Sequence, residues 1–267
     1  MKLLLALFAA LTGTTFAIAQ PRPQLVWSDE FNGAPNTAPD PAKWTYDLGN
    51  NKGWGNRELE SYTKDPENAH LDGKGNLVIR AEPAKGAANS YTSARIKTQG
   101  LFAASPNGRV EARIKVPAGA GIWPAFWMLG NTFNGRNWPA CGEIDIMESL
   151  GREPSINHGS LHGPGYSGGK PMTSIYTLPG GRKFSDDFHI FAIDWKPDEI
   201  TFYVDDTAYE TVRDTDIPAG TKWVFDQPFF LILNVAVGGN FGGPVGAATV
   251  FPQEMLVDYV RVFKRAR

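Results

Sequence analysis

The sequence predicts an all-β fold, a sandwich of two packed antiparallel sheets, and three observations predict it. Stretches in which polar and apolar residues alternate with period two recur along the 267 residues, as strands with one buried face require. Apolar residues at helical spacing are scarce. Glycine (29) and proline (20) punctuate the whole chain, which suits short strands joined by turns. No repeat, low-complexity tract or linker interrupts the pattern, so the chain reads as one large β domain.

Arg109-Val-Glu-Ala-Arg-Ile-Lys-Val116 alternates without a break and predicts a strand with one polar face. Ile200, Phe202 and Val204 predict a second strand, Asp205-Asp206 a turn, and Tyr209–Val212 its antiparallel partner. Phe229-Phe-Leu-Ile-Leu-Asn-Val-Ala-Val237 is too apolar for a strand with one wet face and predicts a central strand covered on both. Pro252-Gln-Glu-Met255 reads as one short helical turn, and Leu256–Phe263 as the closing strand.

Residues 1–19 have the form of a secretory signal peptide: Lys2, an apolar run Leu3–Leu11, and the small-residue cleavage site Ala17-Ile-Ala19. The run is too short to span a bilayer, and no cysteine follows it for lipid attachment. A mature chain of residues 20–267, exported to the periplasm or medium with no membrane anchor, is the expectation. The net charge of −2 argues against nucleic acid as a partner. A single cysteine, Cys141, makes no internal disulfide. It reads as a small buried apolar residue, and the core must stabilise the domain unaided.

Chemistry concentrates in Gly142-Glu-Ile-Asp-Ile-Met-Glu-Ser149. On a strand, Glu143 and Asp145 share one face while Ile144 and Ile146 point into the core. Strict alternation would turn Glu148 into the core, where an unpaired carboxylate costs several kcal/mol. A β-bulge at Ile146-Met147 returns Glu148 to the face of the other two acids. Like charges held together raise at least one pKa, and a protonated carboxyl beside an ionised one is what cleavage of a glycosidic bond requires. The Cα atoms of Glu143 and Glu148 lie roughly 13 Å apart on a flat strand, a gap that two long side chains on a concave strand can narrow. Carboxyls about 5–5.5 Å apart give retention through a covalent glycosyl-enzyme intermediate. From the residues alone, either glutamate can take either part, and a solvated acidic strand face fits the same spacing. A metal site has less support, because the nearby sequence offers no His or Cys at ligand spacing except Cys141.

The flanking residues decide between these. Trp27-Ser-Asp-Glu-Phe-Asn32, Gly53-Trp-Gly-Asn-Arg-Glu58, Tyr91-Thr-Ser-Ala-Arg95, Gly121-Ile-Trp-Pro-Ala-Phe-Trp-Met-Leu129, the acid motif, Ser160-Leu-His162, Asn234-Val-Ala-Val-Gly-Gly239 and Val257-Asp-Tyr-Val-Arg-Val262 run in order over nearly the whole mature chain. In these pieces the chain resembles the laminarinase-like endo-β-1,3-glucanases of glycoside hydrolase family 16. The residue before the last glutamate, Met147 here, separates laminarinase-like members from the bacterial lichenases, which lack it. The resemblance implies a β-jelly roll with a concave substrate cleft and chemistry that needs no cofactor. It implies Glu143 as nucleophile, Glu148 as acid/base and Asp145 as the residue that orients the nucleophile.

Indole rings suit the flat C–H faces of sugars. Trp123 and Trp127 share a face of one strand and are expected in the cleft; Trp54 and Trp138 sit in Gly/Asn-rich loops, where a rim contact is expected. Trp27, Trp44, Trp195 and Trp223 read as structural. By the resemblance Arg95, Asn56 and Glu58 hydrogen-bond glucose hydroxyls, and His162 contacts substrate or the acid/base. Asn234, polar in a very apolar strand, needs a partner, ligand or backbone. Many relatives hold a calcium ion away from the cleft; Glu30, Gly75 (by its carbonyl) and Asp258 fall at the corresponding positions, and oxygen ligands suit that ion.

The expected partner is a β-glucan polysaccharide and the expected state a monomer. Mixed-linkage β-1,3-1,4-glucan or a galactan are the alternative substrates. A non-catalytic glucan-binding protein on the same fold is disfavoured, because such relatives typically lack the two glutamates present here.

Overall fold

Every alternating stretch of the sequence forms a strand, and the strands stack into two sheets around one apolar layer. The structure, a computed structural model, describes residues 23–86 and 90–265; the leader expected at residues 1–19 lies outside them. In chain order the strands are β1 (Gln24–Asp29), β2 (Thr45–Asp47), β3 (Glu60–Tyr62), β4 (Ala69–Leu71), β5 (Leu77–Pro83), β6 (Tyr91–Ser93), β7 (Arg95–Lys97), β8 (Gly108–Lys115) and β9 (Ile122–Gly130). Then follow β10 (Glu143–Ser149), β11 (Ile156–His162), β12 (Met172–Thr177), β13 (His189–Trp195), β14 (Glu199–Val204), β15 (Thr207–Arg213), β16 (Phe229–Val237) and β17 (Gln253–Lys264).

One sheet runs β15-β14-β13-β8-β17-β5-β6-β3, with β1 on β17 and β4 on β5; the other runs β12-β11-β10-β9-β16-β7-β2. All pairings are antiparallel except β3 with β6. The result is a jelly-roll sandwich.

Strand β8 illustrates how the pattern sets the layers. Val110, Ala112 and Ile114 are buried in the core between the sheets. On the opposite face Arg109 reaches Asp194 and Glu111, and Arg113 reaches Asp258. These ion pairs lie near solvent and contribute at most about 1 kcal/mol each, so the apolar layer carries the stability. Its largest buried side chains include Trp44 and Trp195, as the sequence implied.

Strand β16 is buried throughout, between β9 and β7. Phe229, Leu231, Leu233, Val235 and Val237 enter the main core. Phe230 and Ile232 join Leu129 and Cys141 in a separate cluster, and Ala236 joins Trp123 and Leu150 in another. These two clusters lie on the other side of the smaller sheet and form the floor of the cleft.

The helical turn expected at Pro252–Met255 is instead the start of β17. Gln253–Val257 pair with Leu77–Ala81 of β5, and Met255 and Val257 are buried. Pairing with a neighbouring strand outweighs the local turn signal. A single helical turn, α1, forms at Gly239–Gly242 beside the cleft. Among the described residues no helix is long and apolar enough to cross a membrane.

Candidate active site

Strand β10 brings the three acids to one face because its register slips once. Asp145 is opposite Trp127 of β9, and the next pair is Met147 with Phe126; across β11, Asp145 pairs with Ser160 and Glu148 with His158. Ile146 and Met147 thus face the single residue Gly159, and both are fully buried in the core. The bulge lies where the cost of burying Glu148 requires it.

Each acid has its own surroundings. Glu143 is the most open, its side chain 17 % exposed. Its Oε2 accepts the indole N–H of Trp138 at 2.8 Å, and its Oε1 lies 3.7 Å from His162 Nε2. Burial and the Asp145 charge push its pKa up to about 8, against the pull of His162 and Trp138. Asp145 is buried, with Oδ2 3.1 Å from His162 Nε2, and burial holds its carboxyl well above the usual range. Glu148 is also buried; its Oε1 accepts the Trp123 indole N–H at 3.0 Å. Burial first, then the Asp145 charge, raise its pKa well above the ordinary value. Three carboxyls this close cannot all ionise near neutral pH, so the face holds protonated and ionised carboxyls together.

His162 sits opposite Glu143 on β11 and touches Glu143 and Asp145, not the acid/base position Glu148 that the sequence reading allowed. Its Nδ1 accepts the Gly168 N–H at 3.2 Å. In the neutral ring the proton is therefore on Nε2, the nitrogen on the side of the two carboxyls. Glu143, Asp145 and His162 bring ligand atoms within 4.8 Å of one another, a cluster hidden in the sequence because His162 arrives from the next strand. With Nδ1 taken by a backbone amide and Nε2 protonated, the imidazole offers no lone pair, so the trio does not fit a metal ion.

Trp123 and Trp127 both lie on the cleft face. Trp123 is nearly covered, its ring edge-on to Phe241 of α1 with centroids 5.4 Å apart. Trp127 donates to Asn234 Oδ1 at 2.7 Å and carries the Arg95 guanidinium 4.6 Å above its ring. Arg95 is also 4.9 Å from the Trp54 ring and 3.0 Å from Asp47, so it is sandwiched rather than extended toward solvent. Trp138 is exposed (41 %) at the rim, as expected, but also binds Glu143. Asn234 finds two side-chain partners, the Trp127 indole and the hydroxyl of Tyr62.

Glu58 does not present its carboxylate to the cleft. It is buried and accepts from Asn56 Nδ2 at 3.1 Å and Tyr62 Oη at 3.3 Å. Tyr62, Glu60, Asp47 and Phe241 were not singled out from sequence. The alternation Glu58-Leu-Glu60-Ser-Tyr62 carried the signal for the first two, a second row of polar side chains on one strand face. Cys141 is buried as expected, its thiol pushed up to about 11 by burial.

The calcium donors expected away from the cleft are engaged by arginines. Both oxygens of Glu30 accept from Arg261, at 3.0 and 2.7 Å, and Asp258 Oδ2 accepts from Arg113 at 2.7 Å. Arg261 and Arg113 thus balance the charges of Glu30 and Asp258 in this arrangement.

Known proteins share this architecture. Residues 60–260 match the family described as Glycosyl hydrolases family 16. A beta-glucanase of Rhodothermus marinus is 45% identical over 256 residues, covering 91% of this chain and 86% of that protein. The endo-beta-1,3-glucanase structure from Pyrococcus furiosus superposes with a TM-score of 0.85 at 49% identity, covering 91% of this chain and 95% of the other. The laminarinase catalytic domain of Thermotoga maritima gives a TM-score of 0.86 at 47% identity, with 92% and 100% covered. With its acid-lined jelly roll, the chain belongs to glycosyl hydrolase family 16 and is a glycosidase.

Proposed function

We propose that the protein is an endo-acting β-1,3-glucanase that works with retention of configuration, with Glu143 as nucleophile and Glu148 as acid/base. The observation that carries this is the difference between the two glutamates on one face. Glu143 is partly open and accepts from Trp138 beside the His162 imidazole, and both pull against the burial and Asp145 charge that raise its pKa to about 8. Glu148 is enclosed beside Trp123 and holds its proton. In the first step the Glu148 carboxyl gives its proton to the glycosidic oxygen while the Glu143 carboxylate attacks the anomeric carbon and the C–O bond breaks. In the second, Glu148 takes a proton from water, the hydroxide attacks the same carbon, and Glu143 leaves. Asp145 and the His162 imidazole, both beside Glu143, tune its charge in opposite directions.

The names of the relatives support β-1,3-glucan as substrate. Export after cleavage near Ala19-Gln20 and action as a monomer complete the proposal; the mature N-terminus and light scattering test them. The decisive experiment measures reducing-sugar release from linear β-1,3-glucan, mixed-linkage glucan, cellulose and agarose side by side. Fastest release from linear β-1,3-glucan is expected. Preference for mixed-linkage glucan or agarose overturns the substrate reading, and no release from any of them overturns the enzyme reading with it.

A further inference from the structure

Glu58, Glu60 and Tyr62 lie on one side of the segment that leads into β3, and a one-way chain of hydrogen bonds joins them to the cleft floor. The Trp127 indole N–H donates to Asn234 Oδ1 at 2.7 Å. Asn234 Nδ2 donates to Tyr62 Oη at 3.1 Å, and the Tyr62 hydroxyl donates to Glu58 Oε2 at 3.3 Å. Every link passes its donor toward Glu58, which accepts from Asn56 as well. Both oxygens of Glu58 therefore act as acceptors.

Glu60 completes the chain from the other side. It is fully buried, and its Oε2 accepts the Val237 N–H of β16 at 2.7 Å. Its Oε1 meets no donor, and the Glu58 carboxyl is its side-chain neighbour. Two ionised carboxyls would not rest in contact without a cation between them, whereas a carboxylic acid donates to a carboxylate. The titratable groups that face Glu60 are Glu58 on its own segment, Tyr62 on its own strand with Arg95 beyond it, and Tyr91, its register partner on β6. From β16 it receives the Val237 amide.

We propose that Glu60 is a positioning residue for the cleft: as a carboxylic acid it donates to the Glu58 carboxylate and so orients, through Tyr62 and Asn234, the indole of Trp127 and the Trp54–Arg95–Trp127 stack that meets the glucan. This rests on the assignment of the cleft to β-1,3-glucan. Burial and the Glu58 charge push the Glu60 pKa up to about 9, and Tyr62 is held well above its ordinary value by burial. Glu60 is thus the first of the pair to change state as the solution turns alkaline. Its ionisation removes the donor, sets two like charges in contact and releases the chain at the Glu58 end.

The test compares wild type, Glu60→Gln and Glu60→Ala from pH 6.5 to 9.5. Gln keeps a donor for Glu58 and an acceptor for Val237 but cannot ionise. KM and kcat are measured on linear β-1,3-glucan, and the Trp127 indole N–H resonance is followed by NMR without substrate. The wild-type KM should rise about fivefold toward the alkaline end, the factor that goes with one lost hydrogen bond, and the indole resonance should move with it. In Glu60→Gln this extra rise and the accompanying indole shift should be missing, leaving only the changes that Glu143 and Glu148 impose on both proteins alike, among them the fall of kcat at high pH. Glu60→Ala should show the raised KM at every pH; if it fails to fold, the first pair decides. Parallel KM profiles in wild type and Glu60→Gln, or a wild-type indole resonance that does not titrate, overturn the proposal. Absence of hydrolysis of β-1,3-glucan overturns the substrate reading alone, because the indole resonance needs no substrate.

Discussion

The indole N–H of Trp123 lies 3.0 Å from Oε1 of Glu148, and the ring itself is walled in by Leu150, Ala236 and Phe241. Trp123 is thus a donor to a catalytic-face carboxyl as much as a surface for sugar. The bond stabilises the ionised form of Glu148 and partly offsets burial and the Asp145 charge. In Trp123→Phe the ring remains and the donor is lost, so the Glu148 pKa should rise further. The alkaline limb of kcat/KM should then move to higher pH, while the second step, which needs the carboxylate, slows. A pH–rate profile checks this; an unmoved alkaline limb would mean that Glu148 is not the acid. Trp123→Ala should also lower the melting temperature, because the ring is nearly covered.

Glu143→Ala should lower turnover by roughly three orders of magnitude or more, as expected for loss of a nucleophile, and leave the fold intact, since Glu143 is the most exposed of the three acids. Azide should restore part of the rate by attacking the anomeric carbon from the vacated side. Its product should be the α-azide, identified by NMR. Near-normal turnover of Glu143→Ala on β-1,3-glucan would sink the nucleophile assignment.

The same residue should cost stability at high pH. The Glu143 pKa is raised from the carboxylate range to about 8 in the folded protein, so the native state binds the proton more tightly than the unfolded chain. That contribution is fully present below the unfolded pKa and is lost as pH rises toward about 8. Glu143→Gln cannot lose it. The melting temperature of this variant should match wild type near pH 4 and exceed it by a growing margin up to pH 8.5 or so. A margin that does not change with pH would show that Glu143 is not perturbed.

How far the sequence carried is visible in particular residues. Alternation revealed β8, β14, β15 and β17 because one buried face leaves a period of two, and Glu148 revealed the bulge because a carboxylate in the core is too costly. Cross-strand partners leave no such mark. That Arg95 is clasped by Asp47 and two indoles, or that His162 faces Glu143, depends on register between segments far apart in the chain. Glu58 illustrates the same limit. As a residue type it suits sugar hydroxyls, yet its neighbours Asn56 and Tyr62 claim both oxygens. Likewise Pro252–Met255 has local turn character, and only the presence of β5 beside it makes it a strand.

The bulge itself can be tested by removal. Ile146 and Met147 together face Gly159, and a Cβ on Gly159 would come within 2.4 Å of Tyr209 Oη and 2.8 Å of Phe202. The core beneath the bulge is therefore built around this crossing. Deleting Met147 leaves Glu-Ile-Asp-Ile-Glu, which on a regular strand still keeps all three acids on one face. The deletion leaves Glu148 opposite His158 and the facing of Ser149 and Leu150 unchanged, but it removes a fully buried side chain, a loss of about 2–5 kcal/mol, together with the extra bend and twist that the bulge gives the strand. Without that twist Glu148 and Leu150 are aimed differently at Trp123, against which Leu150 packs and to which Glu148 is bonded. The deletion variant should therefore fold poorly or hydrolyse β-1,3-glucan far more slowly than wild type, as measured by circular dichroism melting and reducing-sugar release. Normal melting together with wild-type activity would show that the site needs neither Met147 nor the bend the bulge gives the strand.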